Sequence, residues 1–208
     1  PCGIEDLRRT INDAIELKRL KQVEEELLDK TLKGSIKMMT EVLSLVSPLA
    51  FGRTLRIQQL VLKIGNLIKF PRLLEIELAA LLSHIGCVSL SENLLNKFFI
   101  GETLTTQEEE SYKSHPIVAK EMISNIPRLE YVSKIVELQN SPPNSKKISN
   151  LNEEELTGLH ILKLALDFDL NYYSRSFDIK NIEKKINEEM QKGNYSSEIT
   201  IPFLDEIT

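Results

Sequence analysis

Apolar residues recur every three or four positions along most of this sequence, the spacing that places them on one face of an α-helix. The first 32 residues show the pattern clearly, with an apolar stripe made of Ile4, Leu7, Ile11, Ala14, Leu17, Leu20, Val23 and Leu27. Gly and Pro number only eight each among 208 residues, so few positions would interrupt a helix. The sequence predicts an all-α fold, a helical bundle preceded by a long N-terminal linker helix.

Composition narrows the class of protein further. Apolar residues make up 41% of the chain and charged residues 27%, as in globular domains. A formal net charge of −5 disfavours DNA as a partner. No apolar run approaches the ~20 residues that span a bilayer, so no membrane association is expected. Two cysteines form no disulfide framework, which indicates a cytoplasmic protein.

The N-terminal stripe can pack on the domain that follows or against a second copy of the chain. Three-residue steps follow one another from Ala14 to Val23, so the heptad pattern is imperfect. We predict that residues 4–32 form a parallel coiled coil in a homodimer, with Leu32, Ile36 and Met39 as candidates to extend it. Residues 1–31 would be the linker and residues 32–208 the helical domain.

Further helices are predicted over residues 31–46, 53–68, 71–82, 106–124, 128–139, 153–173 and 179–191. Ser47-Pro48 ends the first of these, because the residue before a proline is displaced from the helical region. The Pro-, Ser- and Lys-rich segment 141–147 is predicted to be a mobile loop.

The segment from Ala79 to Ile117 carries a recognisable order of residues: Ser83-His84, then Gly86, then Lys113-Ser114-His115-Pro116. It resembles the HD-GYP family of HD-domain phosphohydrolases, and the resemblance extends over about residues 32–207. In that family, imidazoles and carboxylates hold metal ions that activate a water for attack on phosphorus. The resemblance implies an HD-type helical bundle, with iron or manganese as the metal and cyclic di-GMP as the usual substrate.

The same resemblance assigns seven residues to metal-site positions: Arg53, Ser83, His84, His115, Gln139, Asn140 and Asp167. His115 and Asp167 keep the family's residue types. Arginine cannot ligate a metal, and the serine and the two amides are weak neutral donors. Cys87 replaces the family's catalytic lysine. We therefore expect no catalytic residue and no cofactor; the alternative is one iron or manganese ion held by His84, His115 and Asp167.

Buried charged side chains in this vestigial site should still be paired. An unpaired buried carboxylate is costly, so an ion pair between Asp167 and Arg53 is expected. Cys87 is expected to be an inert core residue rather than a nucleophile, and His160 a histidine outside the site.

The opening residues, PCGIEDLRRTINDAIELKRL, resemble the end of a receiver domain of a bacterial two-component response regulator. This implies a receiver domain upstream of Pro1. We expect a non-catalytic signalling output domain, acting through dimerisation and an unidentified protein partner. One alternative is a metal-dependent cyclic di-GMP phosphodiesterase. The other is a cyclic-dinucleotide-binding module, whose nearby candidate cations are Arg53, Lys113 and Lys146.

Overall fold

The computed structural model describes residues 3–174 and 178–207, apart from the side chains of Ile4, Glu5, Leu7 and Ser174. All regular secondary structure in these residues is helical, which confirms the predicted all-α fold with its long N-terminal helix. The α-helices are α1 (Ile4–Val46), α2 (Pro48–Leu67), α3 (Leu73–Leu82), α4 (Glu92–Ile100), α5 (Thr106–Ile123), α6 (Glu130–Leu138), α7 (Lys146–Ser149), α8 (Glu153–Asp169), α9 (Ile179–Gln191) and α10 (Ser197–Ile207). A 3₁₀ turn covers Ile85–Ser89, and α8 continues as a π-helical turn over Leu170–Ser174.

Helix α1 runs without interruption for 43 residues, so the predicted division into two helices near Thr31 is wrong. The Thr31 hydroxyl donates to the Leu27 carbonyl at 2.9 Å, and Lys33 pairs with Asp29 at 2.7 Å across one turn. Both interactions support the helix where a break was expected. The chain divides within α1 into two compact units, Pro1–Met38 and Met39–Thr208.

The first unit exposes the apolar stripe of α1. Ile11, Leu17, Leu20, Val23 and Leu27 each expose at least half of their surface. Pro1, Cys2 and the side chains of Ile4 and Leu7 lie outside the described residues. The predicted homodimer through residues 4–32 stays a prediction.

The second unit has its own core, which includes the last turns of α1. Met39 and Leu43 are buried there, so Met39 is not available to extend a dimer interface. Val46, the last residue of α1, is 53% exposed. Helix α2 packs on α3 and α8, and α5 packs on α6 and the 3₁₀ turn.

Helix starts follow local sequence signals. Thr105 with Glu108, and Asn152 with Glu155, form capping boxes that satisfy the first backbone N–H groups of α5 and α8. Helix α3 begins at Leu73, two residues after its predicted start at Pro71. The end of the predicted 141–147 loop belongs to α7. None of the helices in the described residues has the length and apolarity to cross a bilayer.

Candidate functional site

A close approach between two elements brings together the two central histidines. Gly86 lies in the 3₁₀ turn after α3, and a Cβ atom placed there would lie 1.9 Å from the His115 carbonyl oxygen of α5. Only glycine allows this contact. As a result, the His84 and His115 rings stack with their centroids 5.8 Å apart and their planes 16° apart.

The His-Pro sequence within α5 fixes the orientation of the His115 ring. Pro116 has no N–H, so it cannot donate to the Tyr112 carbonyl four residues earlier. His115 Nδ1 lies 2.6 Å from that carbonyl oxygen. Because a carbonyl only accepts hydrogen bonds, Nδ1 carries the proton and Nε2 keeps a lone pair.

The side-chain amide of Gln139 donates a hydrogen bond to that nitrogen. Its Nε2 lies 2.8 Å from the Ser83 carbonyl oxygen and 3.1 Å from His115 Nε2. Only an amide nitrogen can donate to both, so the orientation of the amide follows from its partners. The ring nitrogen that a metal ion would need is therefore already engaged within the protein.

Arg53 supplies a buried positive charge to the same centre. Its side chain is 2% exposed, its Nε lies 2.6 Å from Asp169 Oδ2, and its guanidinium carbon lies 4.2 Å from the centroid of the Phe99 ring. Arg56, one turn further along α2, contributes its Nε at 2.6 Å from Asp169 Oδ1. Helices α2, α4 and α8 thus meet around one guanidinium group.

The predicted pair between Arg53 and Asp167 is wrong, because the partner is Asp169. Two residues along an α-helix differ by about 200° in direction, so the two carboxylates point to different sides of α8. Asp167 Oδ2 instead accepts a hydrogen bond from the Tyr195 hydroxyl at 2.8 Å. Burial raises the pKa of the Asp167 carboxyl, and the Tyr195 hydrogen bond opposes that shift.

Electrostatics keep the two histidines neutral. Burial lowers the pKa of His84 well below its usual value, and the nearby Arg53 charge lowers it further. Burial likewise lowers the pKa of His115 to about 4. Burial raises the pKa of the Cys87 thiol to about 12, as expected of an inert core thiol.

The residues present do not fit the metal ion that an HD-type site implies. Within residues 3–174 and 178–207, no three His, Cys, Asp or Glu side chains are arranged to hold a metal ion. His84, His115 and Asp167 are therefore not brought together as the alternative ligand set. The Arg53 guanidinium would also repel a second cation.

A cavity of about 640 Å³ adjoins this centre. It is lined by Phe98, Glu102, Thr103, Leu104, Glu109, Tyr112, Lys113, Gln139, Asn140, Ser141, Pro142, Pro143, Lys163, Leu166, Asp167 and Asn194. The predicted positions thus fall into two groups. Three of them line the cavity: Gln139, Asn140 and Asp167. The other four, Arg53, Ser83, His84 and His115, are at most 2% exposed and form a group that we call the sealed cluster.

Sequence reasoning missed Asp169 and Lys163. Lys163 is 6% exposed, and its Nζ donates to the Ser141 carbonyl at 2.5 Å and to Asn194 Oδ1 at 3.5 Å. Its position one helical turn before Asp167 was a visible signal, whereas nothing in the sequence separated Asp169 from Asp167. His160 lies outside the sealed cluster and the cavity, half-buried, with its pKa lowered by burial to about 4.

The fold and this centre define an all-helical domain built around two histidines. His84 lies between α3 and the 3₁₀ turn, and His115 precedes Pro116 within α5. A comparison with protein families matches residues 37–191 to the HD domain, which is well over half of the chain. The chain belongs to the HD domain family. Searches of curated proteins and of solved structures each found no match.

Proposed function

We propose that this chain is a non-catalytic signalling member of the HD domain family, of the HD-GYP type. The observation that carries the proposal is the Arg53 guanidinium, which is buried beside His84 and His115 and ion-paired to Asp169. A protein that hydrolyses phosphate esters with metal ions needs free lone pairs at this point. Here the Arg53 guanidinium and the Gln139 side-chain amide occupy the centre.

The loss extends to the residues that would handle the substrate. Cys87 stands where the family resemblance places a lysine, and its buried thiol carries no positive charge for a phosphate. Of the three candidate phosphate-binding cations, Arg53 is sealed inside the protein and Lys113 pairs with Glu109 at 3.1 Å. The third, Lys146, is exposed and is not among the residues that line the cavity. These features favour neither hydrolysis nor tight binding of a cyclic dinucleotide.

A domain without chemistry can act through its contacts with other proteins. The exposed apolar stripe of α1 supports a homodimer, and the resemblance of residues 1–20 to the end of a receiver domain supports a response regulator of the cytoplasm. A receiver that favours one of two dimer arrangements would shift the population of the whole dimer. The unidentified protein partner would distinguish those arrangements.

Metal content and turnover test the proposal. Purified protein is incubated with Fe²⁺ or Mn²⁺, desalted and analysed for metal, and then assayed with cyclic di-GMP beside an active metal-dependent phosphodiesterase. We expect well under one tightly held ion per chain and no turnover. One ion per chain that disappears in His115→Ala, together with hydrolysis, would show that the catalytic site is intact.

A further inference from the structure

The cavity has the size and walls of a small-molecule site. Its volume of about 640 Å³ lies within the range of ligand pockets. Phe98 and Tyr112 stack with ring centroids 3.6 Å apart and both contribute to its lining. Leu104, Leu166 and two prolines add apolar surface, so the walls suit a flat ring.

The charges of the lining disfavour an anion. Three carboxylates, Glu102, Glu109 and Asp167, outnumber the two ammonium groups of Lys113 and Lys163. Lys113 is paired with Glu109, and Lys163 already donates to the Ser141 carbonyl and to Asn194. A phosphate or carboxylate group entering this cavity would meet more negative than positive charge.

The hydrogen-bonding groups of the lining favour a donor. Asp167 Oδ2 accepts from Tyr195, and Oδ1 takes no hydrogen bond from the residues that the structure describes. Asn140, which is exposed, also lines the cavity. We propose that the cavity binds a small planar organic molecule, neutral or singly cationic, whose N–H groups donate to Asp167 while its ring packs against Phe98 and Tyr112.

The ligand site and the proposed loss of hydrolysis can be tested separately. The sealed cluster contributes no lining residue, so a ligand in the cavity would not contact Arg53, His84 or His115. The ligand test uses metal-free protein, so its outcome can be distinguished from that of the metal and turnover test. A failed ligand test would leave the metal result unchanged.

Four probes of similar shape separate the chemical classes: benzamidine, benzamide, benzoate and phenyl phosphate. Binding to the full chain is measured by titration with saturation-transfer NMR up to about 10 mM, the range that probes this small require. We expect benzamidine to bind most tightly, benzamide next, and both anions at least about tenfold more weakly than benzamidine. An anion that binds as tightly as benzamidine, or no binding by benzamidine and benzamide, would overturn the proposal.

Two variants locate the binding. Asp167→Asn keeps an oxygen that can accept from Tyr195 but loses the charge, and should weaken benzamidine about tenfold with a smaller effect on benzamide. Asp205→Asn makes the same change on the exposed surface of α10 and should change neither affinity. Leu166→Trp should weaken both probes by filling the cavity. Unchanged benzamidine binding in Asp167→Asn, with circular dichroism showing a folded chain, would also overturn the assignment.

Discussion

Arg53 Nε and Asp169 Oδ2 lie 2.6 Å apart in a pair whose side chains are at most 2% exposed. Arg56 Nε contacts the other carboxylate oxygen at the same distance. One buried carboxylate therefore serves two guanidinium groups, and Arg53 Nη1 is left buried without a hydrogen-bond partner. The carboxylate is harder to replace than Arg53, because its removal leaves the buried Arg53 cation uncompensated, whereas the side chain of Arg56 is partly exposed to water.

Substitutions at the two ends of this pair should therefore differ in cost. Asp169→Asn leaves the buried Arg53 cation without its carboxylate partner and should lower the free energy of unfolding by about 3–5 kcal/mol. Arg53→Met keeps the pair between Asp169 and Arg56 and removes an unsatisfied buried N–H group, so its cost should stay below about 2 kcal/mol. Urea unfolding of both variants measures the difference. An Arg53→Met variant as unstable as Asp169→Asn would contradict this charge balance.

The approach of the 3₁₀ turn to α5 should tolerate no side chain at Gly86. Gly86→Ala places a methyl group against the His115 carbonyl, and the resulting backbone shift should lower the free energy of unfolding by about 1–3 kcal/mol. Gly34→Ala is the matched control, because a Cβ there meets no atom within 4 Å and α1 should gain up to about 1 kcal/mol. Thermal unfolding monitored by circular dichroism compares the two, and equal melting temperatures would contradict the close contact.

Local signals in the sequence predicted much of the fold. The helix predicted over residues 179–191 is observed with those bounds, and the one over residues 106–124 ends one residue earlier, at Ile123. Each is preceded by a capping residue, Asp178 or Thr105, whose side chain accepts a hydrogen bond from a backbone N–H of the first turn. Such interactions depend on neighbours three residues apart, and so a single segment of sequence contains them.

The pairing of side chains within the site was less predictable. Whether Asp167 or Asp169 faces Arg53 depends on the rotation of α8 about its axis, which the packing of several helices decides. Gln139 reaches the Ser83 carbonyl across 56 residues of sequence, and no local pattern records that contact. Arg53, His84 and His115, three of the positions that the resemblance names, lie close together, but a family pattern gives positions rather than hydrogen bonds.

Acidification should destabilise the domain through its buried histidines. Their pKa values are lowered in the folded chain, to about 4 for His115 from a usual 6.5, so the unfolded chain binds more protons between these values. The free energy of unfolding should therefore be highest above pH 6.5 and should decrease below it, by about 2 kcal/mol at pH 5 from His115 alone, with a further decrease in the same direction from His84. Urea unfolding between pH 7.5 and 5 measures the slope before most carboxylates titrate.

A variant identifies the group responsible for this slope. His115→Gln removes one titrating group, so its stability should depend on pH less steeply than that of the wild type, by up to one proton. Asn125→Gln changes an exposed residue between α5 and α6 and should keep the wild-type slope. Identical slopes in His115→Gln and the wild type would mean that His115 is not held neutral by burial.

The exposed stripe of α1 provides the last prediction, that the linker helices pair with each other. Leu20 and Val23 are 60% and 56% exposed in the single chain, and pairing would remove that apolar surface from water. Replacing both with glutamate would place four like charges at the seam of a dimer. The double variant should therefore be a monomer by light scattering where the wild type is a dimer.

A second pair of substitutions on the same helix is the control for the effect of added charge alone. Asn12→Glu with Gln22→Glu adds the same two charges at exposed positions outside the stripe, so this variant should remain a dimer. A wild-type chain that is monomeric at roughly 50 µM would contradict the pairing, because even a weak interface should assemble at that concentration. A dimer that survives Leu20→Glu with Val23→Glu would place the interface elsewhere on the molecule. The proposed signal transfer through residues 4–32 depends on excluding both outcomes.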